Sequence, residues 1–105
     1  MYGTKDRSEN CLLQALVEGE NYGLELIELV KKRTNGRLKI PQGSVYPVLR
    51  SLEADGLLES YDGEPLPERG GRPRRYYKLT AEGLRAAREE AKAVYGLFKL
   101  ALGVR

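Results

Sequence analysis

GSVYPVLRSLEADG, running from Gly43 to Gly56, places Val45, Val48, Leu49 and Leu52 at i, i+3, i+4 and i+7. That spacing puts four apolar side chains on one face of a helix, and the face turns inward. On a wheel of about 100° per residue the opposite side carries Gly43, Pro47, Arg50 and Ala54, flanked by Tyr46 and Ser51. The outer surface is therefore small-featured with one cation, which suits a helix lying deep in a concave partner such as the major groove of DNA. An ordinary amphipathic helix facing water has the same periodicity, so the flanking sequence must decide. Ser44 as N-cap sets Pro47 at N3, where a missing N–H costs nothing; a start at Pro41 requires a local kink at Pro47.

Downstream, Leu57, Leu58 and Tyr61 open a strand after the Asp55-Gly56 turn, and Arg74–Leu79 gives a second, with Tyr77 and Leu79 alternating against Tyr76 and Lys78. Between them Asp62–Pro73 is rich in Gly, Pro and Arg, the composition of a projecting hairpin tip, or wing. Charge is segregated along this region. Residues 53–68 hold Glu53, Asp55, Glu59, Asp62, Glu64 and Glu68 and no cation, whereas 69–78 hold Arg69, Arg72, Arg74, Arg75 and Lys78 and no acid. Arginines on a slim Gly-Arg-Pro backbone enter a minor groove or fork onto phosphate; a solvated loop is the plainer alternative.

Upstream, Met1–Arg7 reads as a polar arm. Ser8 is the expected N-cap of a first helix whose apolar face is Leu12, Leu13, Leu16 and Val17, closed at Gly19 in a left-handed C′ position. Cys11 reads as a packing residue. Asn21 is expected to cap a second helix reaching about Thr34, with Gly23, Leu26, Ile27 and Val30 on one face and Asn35-Gly36 at its end. Gly23 there allows close packing. Lys31, Lys32, Arg33 and Arg37 gather where the helix dipole favours cations, and Leu38–Ile40 is expected to form a very short strand before Pro41.

At the other end Thr80 caps a helix expected to reach about Gly103. Leu84, Ala87, Ala91, Val94, Phe98 and Ala101 step by 3, 4, 3, 4, 3 along it, a heptad seam, with Leu97 and Leu102 widening it. The seam is expected to pair with a second subunit. Folding back over the first helix is the alternative, and both hold in an intertwined dimer.

With 105 residues and a net charge of +3, the chain makes one domain with a modest core and tolerates a polyanion as partner. One Cys and no His exclude zinc sites and His-dependent nucleophile systems. No Walker-type loop occurs, and the acids are scattered over polar positions, so neither an enzyme nor a cofactor is expected. No apolar run approaches the roughly 18 residues of a membrane span. The single Cys and the absence of a signal-like segment lead to the expectation of a cytoplasmic protein.

GSVYPVLRSLEADGLLES followed by GRPRRYYKLTAEG resembles the PadR family of bacterial transcriptional regulators. The matching residues are Gly43, Tyr46, Pro47, Leu49, Leu52, Glu53, Gly56, Leu57, Arg75, Tyr76, Tyr77, Leu79, Thr80 and Gly83, and Tyr22-Gly23-Leu24-Glu25-Leu26 looks like a further family segment with Leu24 in place of an aromatic. The resemblance implies an α+β winged helix-turn-helix over residues 1–79 with a single C-terminal dimerisation helix over 80–105, as in the smaller subfamily. It implies a homodimeric repressor on double-stranded DNA, its third helices in successive major grooves and its wings on the flanking backbone or minor groove. Gln42, Ser44, Tyr46, Pro47 and Arg50 are then the third-helix contacts, with Arg50 placed for bidentate readout of guanine; Tyr46 has bracing of the wing as its other role. Arg69, Arg72, Arg74 and Arg75 supply affinity without sequence preference. A winged-helix module gripping an acidic protein is the competing use of the same features. Some small members release DNA when a planar aromatic effector binds at the dimer interface between stacking side chains, often Trp. This chain has no Trp, and Tyr95 and Phe98 read as packing residues before ligand contacts.

Overall fold

The computed structural model describes residues 6–103, so most of the expected N-terminal arm lies outside them. Helix α1 spans Arg7–Leu16 and is capped by Asp6, whose carboxylate accepts a hydrogen bond from Glu9 N at 2.8 Å. Ser8, the expected cap, lies inside the first turn; a carboxylate two residues earlier takes the cap and starts the helix sooner. Leu12, Leu13 and Leu16 are buried as expected, but Val17 forms the exit and turns to solvent. Gly19 has φ 141°, positive but far from the left-handed helical value anticipated.

Asn21–Tyr22 is not the mouth of a helix but a short strand, β1, pairing antiparallel with a later strand through Asn21↔Tyr77 and Tyr22↔Tyr76. Asn21 Oδ1 accepts from Tyr22 N at 2.9 Å, so the side chain serves the strand rather than a cap. Helix α2 then runs Gly23–Arg33, burying Gly23, Leu26 and Val30. Asn35 (φ 53°) and Gly36 (φ 79°) stop it, with Gly36 N donating to Lys31 O at 2.7 Å. Thr34 Oγ1 donates to Val30 O at 2.9 Å and accepts from Leu38 N at 3.0 Å. This staple holds Leu38–Ile40 as a connector with Ile40 in the core, and the expected strand does not form.

Helix α3 covers Gln42–Ala54 from Pro41, without a side-chain cap, so Ser44 is the third helical residue and Pro47 is interior. The carbonyl that Pro47 cannot serve is that of Gly43, which is exposed and open to water; that location makes the earlier start tolerable. Val45, Leu49 and Leu52 are fully buried, Val48 partly. At the exit Leu57 N donates to Leu52 O at 3.0 Å, dropping Leu57 into the core.

Strands β2, Leu58–Pro65, and β3, Pro73–Leu79, complete a three-stranded antiparallel sheet in the order β1-β3-β2. β2 extends further than its apolar start indicates, and one extra residue is accommodated between the pairs Asp62↔Arg75 and Pro65↔Pro73. Helix α4, Ala81–Phe98, is capped as expected by Thr80, whose Oγ1 accepts from Gly83 N at 3.0 Å and donates to Gly56 O at 2.7 Å. It ends at Phe98 rather than near Gly103. Its first half lies on α1, where Ala86 and Ala87 are buried and Gln14 Nε2 donates to Ala87 O at 2.7 Å.

Candidate nucleic-acid interface

The inward turn of Val45, Leu49 and Leu52 fixes what α3 shows outside. Gln42, Gly43, Ser44, Pro47, Arg50, Ser51 and Ala54 are all exposed, the small-featured surface expected from the wheel. Arg50 is exposed and, among the described residues, makes no ion pair. Its guanidinium is thus available as a planar fork. Tyr46 differs from the rest. Its ring lies over Gly23 so closely that a Cβ there would come within 2.8 Å of the Tyr46 ring, so the tyrosine is half-buried between α2 and α3. The close packing expected of Gly23 is found, and its partner is Tyr46. At the penultimate residue of α3, Glu53 accepts a hydrogen bond from Ser60 Oγ at 2.7 Å, joining the helix to the root of the hairpin.

The wing tip is a folded turn. Pro67–Arg69 makes one 3₁₀ turn, and Gly70 (φ 68°) and Gly71 (φ 85°) reverse the chain with Gly71 N donating to Leu66 O at 3.0 Å. The four wing arginines separate into two groups. Arg69 and Arg72 sit at the tip, where Arg72 Nε donates to Arg69 O at 3.1 Å. Arg74 and Arg75 are engaged by the hairpin itself. The Arg74 guanidinium lies 4.5 Å from the centroid of Tyr22, and Arg75 pairs with Asp62 at 3.0 Å. That hydrogen bond to Asp62 is the chief cause of the upward shift in the Arg75 pKa. Lys78 and Glu59 form a second cross-strand pair at 3.8 Å. Acidic β2 thus faces basic β3, an arrangement visible in the charge segregation only once the register is known.

On the outer face of the sheet Tyr22, Tyr76 and Tyr61 stand side by side. Tyr22 meets Tyr76 edge-on at 5.6 Å, and Tyr76 stacks on Tyr61 at 5.6 Å with 16° between planes. The Tyr61 hydroxyl donates to the Glu20 carboxylate. Tyr77, next along β3, faces the core instead, where burial raises its pKa, with Glu53 adding to the effect. The tyrosine row escaped the sequence reading because it needs β1, whose partner lies more than fifty residues away in the chain.

The seam residues of α4 also separate. Ala87 is completely buried against its own α1, and Leu84 is half-buried. Ala91, Val94, Phe98 and Ala101 are exposed. With Gln14, Tyr95 and Leu102, residues Ala91, Val94 and Phe98 line an open groove of about 550 Å³ between α1 and the far half of α4. Among the described residues no cluster of acids and cysteine is arranged to hold a metal ion, and no helix is long and apolar enough to cross a membrane.

The model of the transcriptional regulator PadR-like family matches residues 12–89 of the chain. A transcriptional regulator of Mycobacterium tuberculosis is 38% identical over 65 residues, which is 62% of this chain and 57% of that protein. An uncharacterised protein of Lysinibacillus sphaericus is 31% identical over 75 residues, 71% of this chain and 66% of the relative. The chain therefore spans somewhat less than two thirds of either relative's length. Among solved structures, a PadR-like transcriptional regulator from Bacillus cereus superposes with a TM-score of 0.67 at 28% identity, covering 90% of this chain and 86% of that one.

Proposed function

Because the chain belongs to the PadR-like family of transcriptional regulators, we propose that it is a homodimeric repressor that binds an inverted-repeat operator in double-stranded DNA. The family is one of regulators, not of enzymes. The observation that carries the reading is the outer surface of α3: small residues around a single unpaired, exposed Arg50, with the arginine-bearing hairpin joined to the same helix through Glu53 and Ser60. In this reading α3 enters the major groove. Gln42, Ser44, Pro47 and Arg50 meet it directly, and Tyr46 reaches it from the α2 side. Arg50 pairs with guanine O6 and N7. Arg69 and Arg72 lead the wing's contact with backbone or minor groove, while Arg74 and Arg75, held by Tyr22 and Asp62, flank that contact from the hairpin.

Two copies are required because one short helix reads too few bases for an operator. The apolar far half of α4, with Val94, Leu97 and Phe98 exposed at 52%, 75% and 52%, supplies the surface for pairing. A two-fold dimer places half-sites about 34–36 Å apart, one turn of duplex. Selection from a random duplex pool tests the reading. Recovery of an inverted repeat with that spacing is expected, with base preference at one position relaxed in Arg50→Ala and affinity lowered on every duplex in Arg72→Ala. Recovery of no duplex at about 150 mM salt, where nonspecific binding is weak, would overturn it in favour of an acidic protein as the wing's partner.

A further inference from the structure

The segment Glu20–Gly23 touches both halves of the interface at once. Through Gly23 it receives the ring of Tyr46 from α3, and through Tyr22 it meets Tyr76 and carries Arg74 of the wing. Tyr76 passes the contact on to Tyr61, and the Tyr61 hydroxyl returns it to Glu20. The hairpin is also tied to the rest of the domain at its root, where Ser60 donates to Glu53 and Leu58 and Tyr77 are buried in the core. A ribbon anchored only at its root still swings at its tip. A second attachment, nearer the tip, removes the swing. Backbone pairing supplies little of this second tie, because β1 is only two residues long. The rings, and the Arg74 guanidinium over Tyr22, add side-chain contacts to that short pairing. Gly63 serves the same packing: a Cβ there would lie 2.6 Å from the Tyr76 ring, so the bulged strand draws in against the row.

We infer that Tyr22 is a positioning residue for DNA recognition: the Tyr22–Tyr76–Tyr61 row sets the angle of the wing to α3, and so the distance along the duplex between the bases α3 reads and the backbone the wing tip touches. Arg74 acts within the protein, its guanidinium lying over the Tyr22 ring. The inference rests on the proposed reading of α3 and the wing as the DNA contacts.

The test uses the full chain and the duplex that the wild-type chain recovers from a random pool. Guanine methylation interference reports on α3, hydroxyl-radical protection of the sugar backbone reports on the wing, and circular dichroism reports on folding. Tyr22→Phe keeps the ring and is expected to preserve both footprints. Tyr22→Leu is expected to blur or lose the wing's protected segment and weaken binding about tenfold, the order expected when a few phosphate contacts are lost, while guanine interference persists. A folded Tyr22→Leu with its wing protection intact overturns the inference, and so does one that loses both footprints together. Should Tyr22→Leu not fold, Tyr61→Leu removes the exposed outer rung and must weaken wing protection selectively; an unchanged pattern there overturns the inference equally. A wild-type chain that binds without any wing protection overturns the reading of the wing itself, a separate result.

Discussion

The two halves of α4 follow one heptad rule and meet different fates. In the near half of the seam Ala87 is buried and Leu84 half-buried, with Gly83 and Ala86 buried beside them; in the far half Ala91, Val94, Phe98 and Ala101 are all exposed, and so is Leu97. Position along the helix explains the division, since small Ala91 and Ala101 are exposed together with Val94 and Phe98. Small side chains let a helix lie flat on its own domain, so close that a Cβ on Gly83 would collide with the Leu57 carbonyl oxygen. Further along, Val94, Leu97 and Phe98 present apolar area that the described residues leave at least half exposed. A periodic stripe thus marks a candidate face for burial, and only the packing of α4 on α1 shows how much of it the protomer itself covers.

Substitutions can break that contrast from either end. Gly83→Ala is expected to have the largest effect, about 3 kcal/mol or more of lost stability, because the obstacle is backbone and cannot rotate away. Urea denaturation measures it, and a loss under about 0.5 kcal/mol would mean that the near half is less tightly seated than its burial indicates. Thr80→Ala is expected to cost about 1 kcal/mol in the same assay, since it removes the cap at Gly83 N and the bond to Gly56 O together. Leu97→Ser in the far half is expected to leave protomer stability within about 0.5 kcal/mol while shifting sedimentation towards the monomer. Equal effects of Leu97→Ser and Gly83→Ala on protomer stability would erase the distinction between the halves.

The gentlest probe is Cys11, on the helix that carries the near half. Burial raises its thiol pKa, with nearby Arg7 partly opposing, so less thiolate is present at any given pH than in a free cysteine. Alkylation by iodoacetamide is therefore expected to lag behind that of free cysteine from about pH 7 to 9. A rate matching the free thiol would show α1 loosened from its neighbours.

The parts of the fold written in periodicity were legible: the inward faces of α2 and α3, that of α1 as far as Leu16, the two long strands and the Thr80 cap all follow from residue type and spacing. The errors fall where distant partners or near-equal local choices decide. Asp6 caps Glu9 N and starts the helix two residues before Ser8, and Thr34 recruits Leu38 before a strand can form. Asn21–Tyr22 carries no period at all, and becomes a strand only because β3 arrives beside it. For the interface, the composition of the α3 surface could be read, and so could the arginine content of the wing. Which arginines the hairpin keeps for itself could not, since that depends on the register bringing Asp62 to Arg75 and on the Tyr22 ring beneath Arg74.

The pairing of an acidic strand with a basic one has a consequence for how the molecule searches. Opposite charges a few ångströms apart make a ribbon whose field largely cancels beyond a screening length of about 10 Å at 0.1 M salt. From afar the hairpin is nearly silent, and its tip guanidiniums register only at close range. Polyanions at large then exert little pull, and residence at a site is decided by fit after encounter rather than by capture from a distance.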